Sequence, residues 1–88
     1  MKYRLVLSEN ARRELKKLDK QSALLLIGWM RKNLDGIENP RAKGKALTGN
    51  YKNAWRYRVG NYRIIAEIED EKIVVIVLKI GHRREVYR

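Results

Sequence analysis

The sequence has no cysteine, a single histidine and a single proline among 88 residues, and about half as many acidic residues as basic ones. Without cysteine there are no disulfides, no thiolate nucleophile and no cysteine-ligated zinc. The lone His82 leaves no histidine cluster for a metal and has no evident carboxylate partner for a serine-type triad. A P-loop and a glycine-rich dinucleotide fingerprint are also missing. No apolar run approaches the roughly 20 residues that span a bilayer, and the apolar stretch within the opening MKYRLVLSEN is too short for a secretory signal. These absences lead us to expect a soluble cytoplasmic protein with no metal and no cofactor.

What is present is positive charge. Lys+Arg number 21 against 10 Asp+Glu, a formal net charge of +11. Such an excess concerns partners more than fold, and it favours polyanions, nucleic acid first. At 44% hydrophobic residues the chain is too apolar for a disordered tail and can fill one modest core, so one domain over residues 1–88 is expected.

Tyr3 to Leu7 carries β-favouring residues and reads as a strand, with Ser8 behind it as a helix N-cap. Ala11, Leu15 and Leu18 then recur at helical spacing, opposite Arg12, Arg13, Lys16 and Lys17. Asp19 to Ser22 offers caps for a second helix, on which Ala23, Leu26 or Ile27, Met30 and Leu34 repeat at three and four. Leu24, Leu25 and Trp29 widen its apolar arc. Burial of most of that arc against a sheet is the plainer expectation, and docking of a partner chain the sharper one. Asp35-Gly36 ends the helix, and a loop with Arg41, Lys43 and Lys45 follows. Three strand-like runs come next, Ala54 to Val59, Tyr62 to Ile68 and Ile73 to Ile80, joined by Gly60-Asn61 and by Glu69 to Lys72. The last run, IVVIVLKI, suits a strand inside the sheet. The expected fold is α+β, in the order β-α-α-β-β-β: an antiparallel-rich four-stranded sheet with an αα-hairpin on one face.

Strict alternation over Trp55 to Val59 puts Trp55, Tyr57 and Val59 on one face and Arg56 and Arg58 on the other, about 7 Å apart, the spacing of successive phosphates. In the next run the apolar set Tyr62, Ile64, Ala66 and Ile68 belongs in the core, so Arg63 points outward beside Arg56 and Arg58. The terminal stretch from Gly81 to Arg88 concentrates Arg83, Arg84, His82 and Tyr87. Arg56, Lys52, Tyr51, Lys45 and Arg84 are the candidates for binding RNA phosphates, Tyr51 and Tyr87 the better candidates for stacking on bases. The acidic cluster Glu67, Glu69, Asp70 and Glu71 falls at a hairpin turn and reads as solvated, not as a two-metal site. Arginine is no base at neutral pH, so cleavage would need another proton acceptor. Tyr87, its phenolate stabilised by neighbouring cations, and His82 are the alternatives.

The chain resembles RelE-type toxins of the RelE/ParE superfamily of toxin–antitoxin pairs. The resemblance spans the opening strand, SENARRELKKLDK, Leu47-Thr48-Gly49 and above all VGNYRIIAEIEDEKIVVIVLKIGHRREVY. It implies a RelE-like fold, ribosome-dependent cleavage of mRNA in the A site, and neutralisation by an antitoxin that wraps the toxin. It also implies site residues: Arg56, Arg58 and Arg63 on the phosphate, Arg83 at the leaving group and Tyr87 at the 2′-hydroxyl, with His82 as rival. Arginines stand at positions 56 and 58 where relatives often have lysines. Partners would be an acidic cognate antitoxin and the ribosome with its mRNA and rRNA, with no membrane involved. A ParE-like gyrase inhibitor and a non-catalytic RNA-binding module are the alternative functions.

Overall fold

A computed structural model describes residues 1–47 and 53–82. Strand β1 (Arg4–Leu7) leads into helix α1 (Glu9–Lys17), and helix α2 (Lys20–Leu34) follows after a two-residue link. Strands β2 (Lys45–Ala46), β3 (Ala54–Val59), β4 (Tyr62–Glu69) and β5 (Val74–His82) complete the order. Both helices start where their caps say they should: Ser8 Oγ accepts from Ala11 N–H at 3.0 Å and Asp19 Oδ2 from Ser22 N–H at 3.0 Å. Each bond satisfies a backbone donor that a helix start leaves without an intrahelical partner. Glu9 in the first turn of α1 and Lys16 and Lys17 in its last turn complement the helix dipole. Beyond α2, Gly36 takes φ +70, the left-handed conformation a helix terminus favours.

The sheet order is β1-β5-β4-β3-β2. β1 runs parallel to β5, and the other neighbours are antiparallel. The α+β class and helical hairpin match expectation, but the sheet has five strands, not four. The addition is β2, only two residues long, too short to show a period and set in a glycine- and proline-punctuated loop. The last strand begins at Val74 because Ile73 adopts φ 55, a conformation that closes the turn and that no strand residue shares.

Helix α2 buries Leu26, Met30 and Leu34, and α1 buries Ala11 and Leu15, against Tyr57, Ile64, Ile68, Val75, Val77 and Ile80 of the sheet. Burying each large side chain contributes about 1.5–3 kcal/mol relative to leaving it in water. The plainer expectation fails for Leu24 and Leu25, which are 60% and 59% exposed, whereas Ala23, Ile27 and Trp29 pack partly buried against the core.

Two features of β5 determine which side chains reach the other face. Ile65 pairs with Lys79 and Ala66 with Val77, so Leu78 is an extra residue and the strand bulges there. Before the bulge Val75 and Val77 face the helices; after it Ile80 and His82 do, and Lys79 faces away. Past the end of β1, the outer edge of β5 is closed by α1: Ser8 Oγ and Asn10 Nδ2 donate to Leu78 O at 3.2 and 2.9 Å, and Ile80 N–H donates to Glu14 Oε1 at 2.8 Å. Side chains thus satisfy backbone groups that a bare edge would present to another strand.

Candidate functional site

Residues paired across antiparallel strands share a face. The register therefore lays Lys45, Arg56, Ile65 and Lys79 in one row across β2, β3, β4 and β5, and Arg58, Arg63 and Gly81 in the next row. With strands about 4.8 Å apart, the first row spans about 14 Å. This is the face away from the helices, and it brings together Lys45, Arg56, Arg58 and Arg63 as the sequence implied. Arg63 needs a correction. It does lie on the outward face, yet it is only 5% exposed, directly opposite Arg58 and flanked on its other side by Gly81, which contributes no side chain. Like charges set opposite each other across a ladder repel.

A cavity of about 430 Å³ opens beside these cations, lined by Lys43 to Lys45, Arg56 to Arg58, Arg63 and, from α2, Trp29. Its loop wall is held by side chains more than by β2. Trp55 Nε1 donates to Lys43 O at 2.6 Å, and the buried Tyr57 hydroxyl donates to Pro40 O at 2.6 Å. Burial raises the Tyr57 pKa well above that of an ordinary phenol, so the hydroxyl keeps its proton. The Arg41 guanidinium forks onto both Asp70 oxygens at 2.9 Å, Tyr3 OH donates to Asp70 Oδ1 at 2.6 Å, and Arg41 lies 6.0 Å from the Trp55 ring centre. Those hydrogen bonds hold the Asp70 carboxyl at about 2, so it stays ionised at neutral pH and loses the contact only in strong acid. Asp70 lies exposed in the turn, as expected, but it also holds partners far away in sequence. Among the described residues no group of acidic and histidine side chains gathers as a metal site.

Gly44 is fixed by geometry. Its φ is +78, and a Cβ there would sit 2.2 Å from the Arg56 carbonyl oxygen. Gly44→Ala is expected to break the β2–β3 pairing and destabilise the protein by about 2 kcal/mol or more through left-handed strain and the backbone clash. Denaturant unfolding measures the loss, and hydrogen exchange at Lys45 and Ala46 locates it; an unchanged midpoint would contradict the clash.

His82 is placed apart from the arginines. It pairs with Tyr62, its ring edge-on to the tyrosine at 6.0 Å between centroids, on the helix-packed face. The bulge at Leu78 puts it there. Its candidacy as acid or base at the arginine face loses its geometric basis. Tyr51, Lys52, Arg83, Arg84 and Tyr87 lie outside the described residues. Three contributors escaped sequence reading. Lys79 sits in an otherwise apolar run and needs the bulge to reach the cationic face. Lys43 and Trp29 meet only through tertiary packing; the Lys43 ammonium also donates to Asn33 Oδ1.

Comparisons with known proteins agree with this fold. The family described as ParE toxin of type II toxin-antitoxin system, parDE, matches residues 5–87. Toxin RelG of Mycobacterium tuberculosis is 30% identical over 88 residues, covering 100% of this chain and 99% of its own. The mRNA interferase toxin RelE of Escherichia coli K12 is 34% identical over 92 aligned positions, covering 99% and 92%. Among solved structures, the toxin-antitoxin complex RelBE2 of M. tuberculosis superposes with a TM-score of 0.84 at 27% identity, covering 97% of this chain and 95% of the matched one. The intact E. coli RelBE complex gives 0.74 at 28%, covering 91% and 95%. The chain is a member of the RelE/ParE family of type II toxin–antitoxin toxins.

Proposed function

We propose that this toxin is a ribosome-dependent, metal-independent mRNA endonuclease. The observation that carries the reading is the pair Arg58 and Arg63, set opposite each other with Lys45, Arg56 and Lys79 in the adjacent row. Cations gathered on one face suit a polyanion, and RNA phosphate is an anion of the right spacing. The chemistry needs no bound ion: the 2′-hydroxyl attacks the adjacent phosphorus, the 5′-oxygen departs, and a 2′,3′-cyclic phosphate remains. Arg56, Arg58 and Arg63 neutralise charge that grows on the phosphorane. By family resemblance Tyr87 takes the 2′-hydroxyl proton and Arg83 stabilises the departing oxygen. The name mRNA interferase borne by the E. coli RelE relative supports the same activity.

Neutralisation draws on this face and on helix α2. Related toxins have been solved in complexes with antitoxins, and this chain presents both a cationic face and the exposed pair Leu24 and Leu25. An acidic antitoxin with an apolar segment suits both. The cytoplasm, where ribosomes are, is the compartment of action; among the described residues no helix is long and apolar enough to cross a membrane.

The test is primer extension on mRNA after induction, repeated with purified toxin on programmed ribosomes. Cuts at A-site codons bearing cyclic phosphate ends are expected, and none on free mRNA. The matching family is described as ParE toxin, so gyrase inhibition is the second reading. Intact mRNA together with DNA-damage signalling would replace the first reading by it.

A further inference from the structure

The loop that carries Lys43 and Lys45 has little holding it by backbone alone. Its strand, β2, pairs with β3 at two residues, and among the described residues preceding it, from 38 to 44, no helix or strand is formed. Side chains do the rest: beside the Tyr57–Pro40 and Lys43–Asn33 hydrogen bonds, a relay runs from the β4–β5 turn. Asp70, in the β4–β5 turn, grips both arms of Arg41; Arg41 lies against Trp55; and the Trp55 indole N–H holds the Lys43 carbonyl. Tyr3, from the chain's start, fixes the Asp70 carboxylate from a third direction. With its fork committed to Asp70, Arg41 is an anchor for the loop and not a ligand of the cavity, which it does not line.

We propose that Asp70 is a positioning residue for RNA: through Arg41 and Trp55 it holds Lys43 and Lys45 against Arg56 and Arg58, so that an acidic residue strengthens binding of a polyanion. This rests on the RNA-binding reading of the cationic face. The sign makes it testable. Simple charge counting says that removing a carboxylate from a basic protein strengthens RNA binding; the relay says that it weakens binding, because two lysines must then be ordered when RNA arrives. The Arg41–Asp70 pair is a surface ion pair, side chains 38% and 55% exposed, and such pairs carry little of the global stability. Its loss leaves the fold standing.

The experiment measures fluorescence anisotropy of a labelled single-stranded RNA with the full chain and four variants. Asp70→Asn is expected to weaken binding about tenfold, the effect of leaving two side chains to be immobilised on binding. Glu71→Gln, the same charge change one residue away on an exposed side chain, is expected to leave binding equal or tighter. Arg41→Lys keeps the charge but loses the fork, and is expected to weaken binding like Asp70→Asn; it also serves if Asp70→Asn folds poorly. Asp70→Glu is expected to restore much of the affinity. Hydrogen exchange at Ala42 to Ala46 should rise in Asp70→Asn and Arg41→Lys with thermal midpoints little changed. Equal affinities for Asp70→Asn and Glu71→Gln, or binding by Arg41→Lys as tight as the parent, would overturn the relay. Failure of the parent chain to bind RNA at all would instead defeat the reading on which it rests, and the relay's role in RNA binding with it.

Discussion

Arg63→Lys is expected to slow single-turnover cleavage on programmed ribosomes by about 10²-fold, the usual effect of losing one well-placed donor to a charged transition state. The substitution retains the positive charge but removes the planar fork that meets two phosphate oxygens at once. Ground-state attraction for RNA therefore changes little, while the added interaction made as the phosphorane forms is lost. Arg63 is buried opposite Arg58, so its head group has few alternative positions, which is why geometry matters here more than charge. Arg58→Ala should act differently: it removes an exposed cation, weakens engagement of the phosphate, and leaves the unfolding midpoint unchanged or slightly higher because a like-charge pair disappears. Tyr87→Phe should also slow cleavage strongly, whereas His82→Gln should do little, since His82 stands with Tyr62 on the other side of the sheet. Full cleavage by Arg63→Lys and Tyr87→Phe together would sink the nuclease site as described.

A second large effect is expected from salt. If Lys45, Arg56, Arg58, Arg63 and Lys79 each neutralise one phosphate of single-stranded RNA, the slope of log K against log salt is about −3.5, and raising salt from about 50 to 200 mM weakens binding about 100-fold. Lys79→Ala should then lower the slope by about 0.7 without changing sequence preference. Lys72→Ala is the control: this lysine sits in the β4–β5 turn near Glu69, 3.7 Å from its carboxylate, and not in either cationic row. Titrations at four or five salt concentrations check both. A flat response, or equal slopes for Lys79→Ala and Lys72→Ala, would remove Lys79 from the face.

Local patterns by themselves determined a good part of this protein. Ser8 and Asp19 cap helices because a side-chain oxygen after an extended residue answers donors only a few residues away, and period-two alternation from Trp55 to Val59 separates core from cations without knowledge of any other strand. Charge composition likewise points to a polyanion partner whatever the fold. Tertiary structure alone decided the rest, because it depends on pairings between residues distant in the chain. β2 exists only through its two pairings with β3. The extra residue Leu78 is invisible in an unbroken apolar run, yet it reverses the parity of β5, sending Lys79 to the cationic face and His82 away from it. Arg63 reads as an outward cation from alternation, but its burial follows from what packs around it in the folded sheet. Asp70 looks like one more solvated turn acid until the fold brings Tyr3 and Arg41 to it, across 67 and 29 residues of sequence.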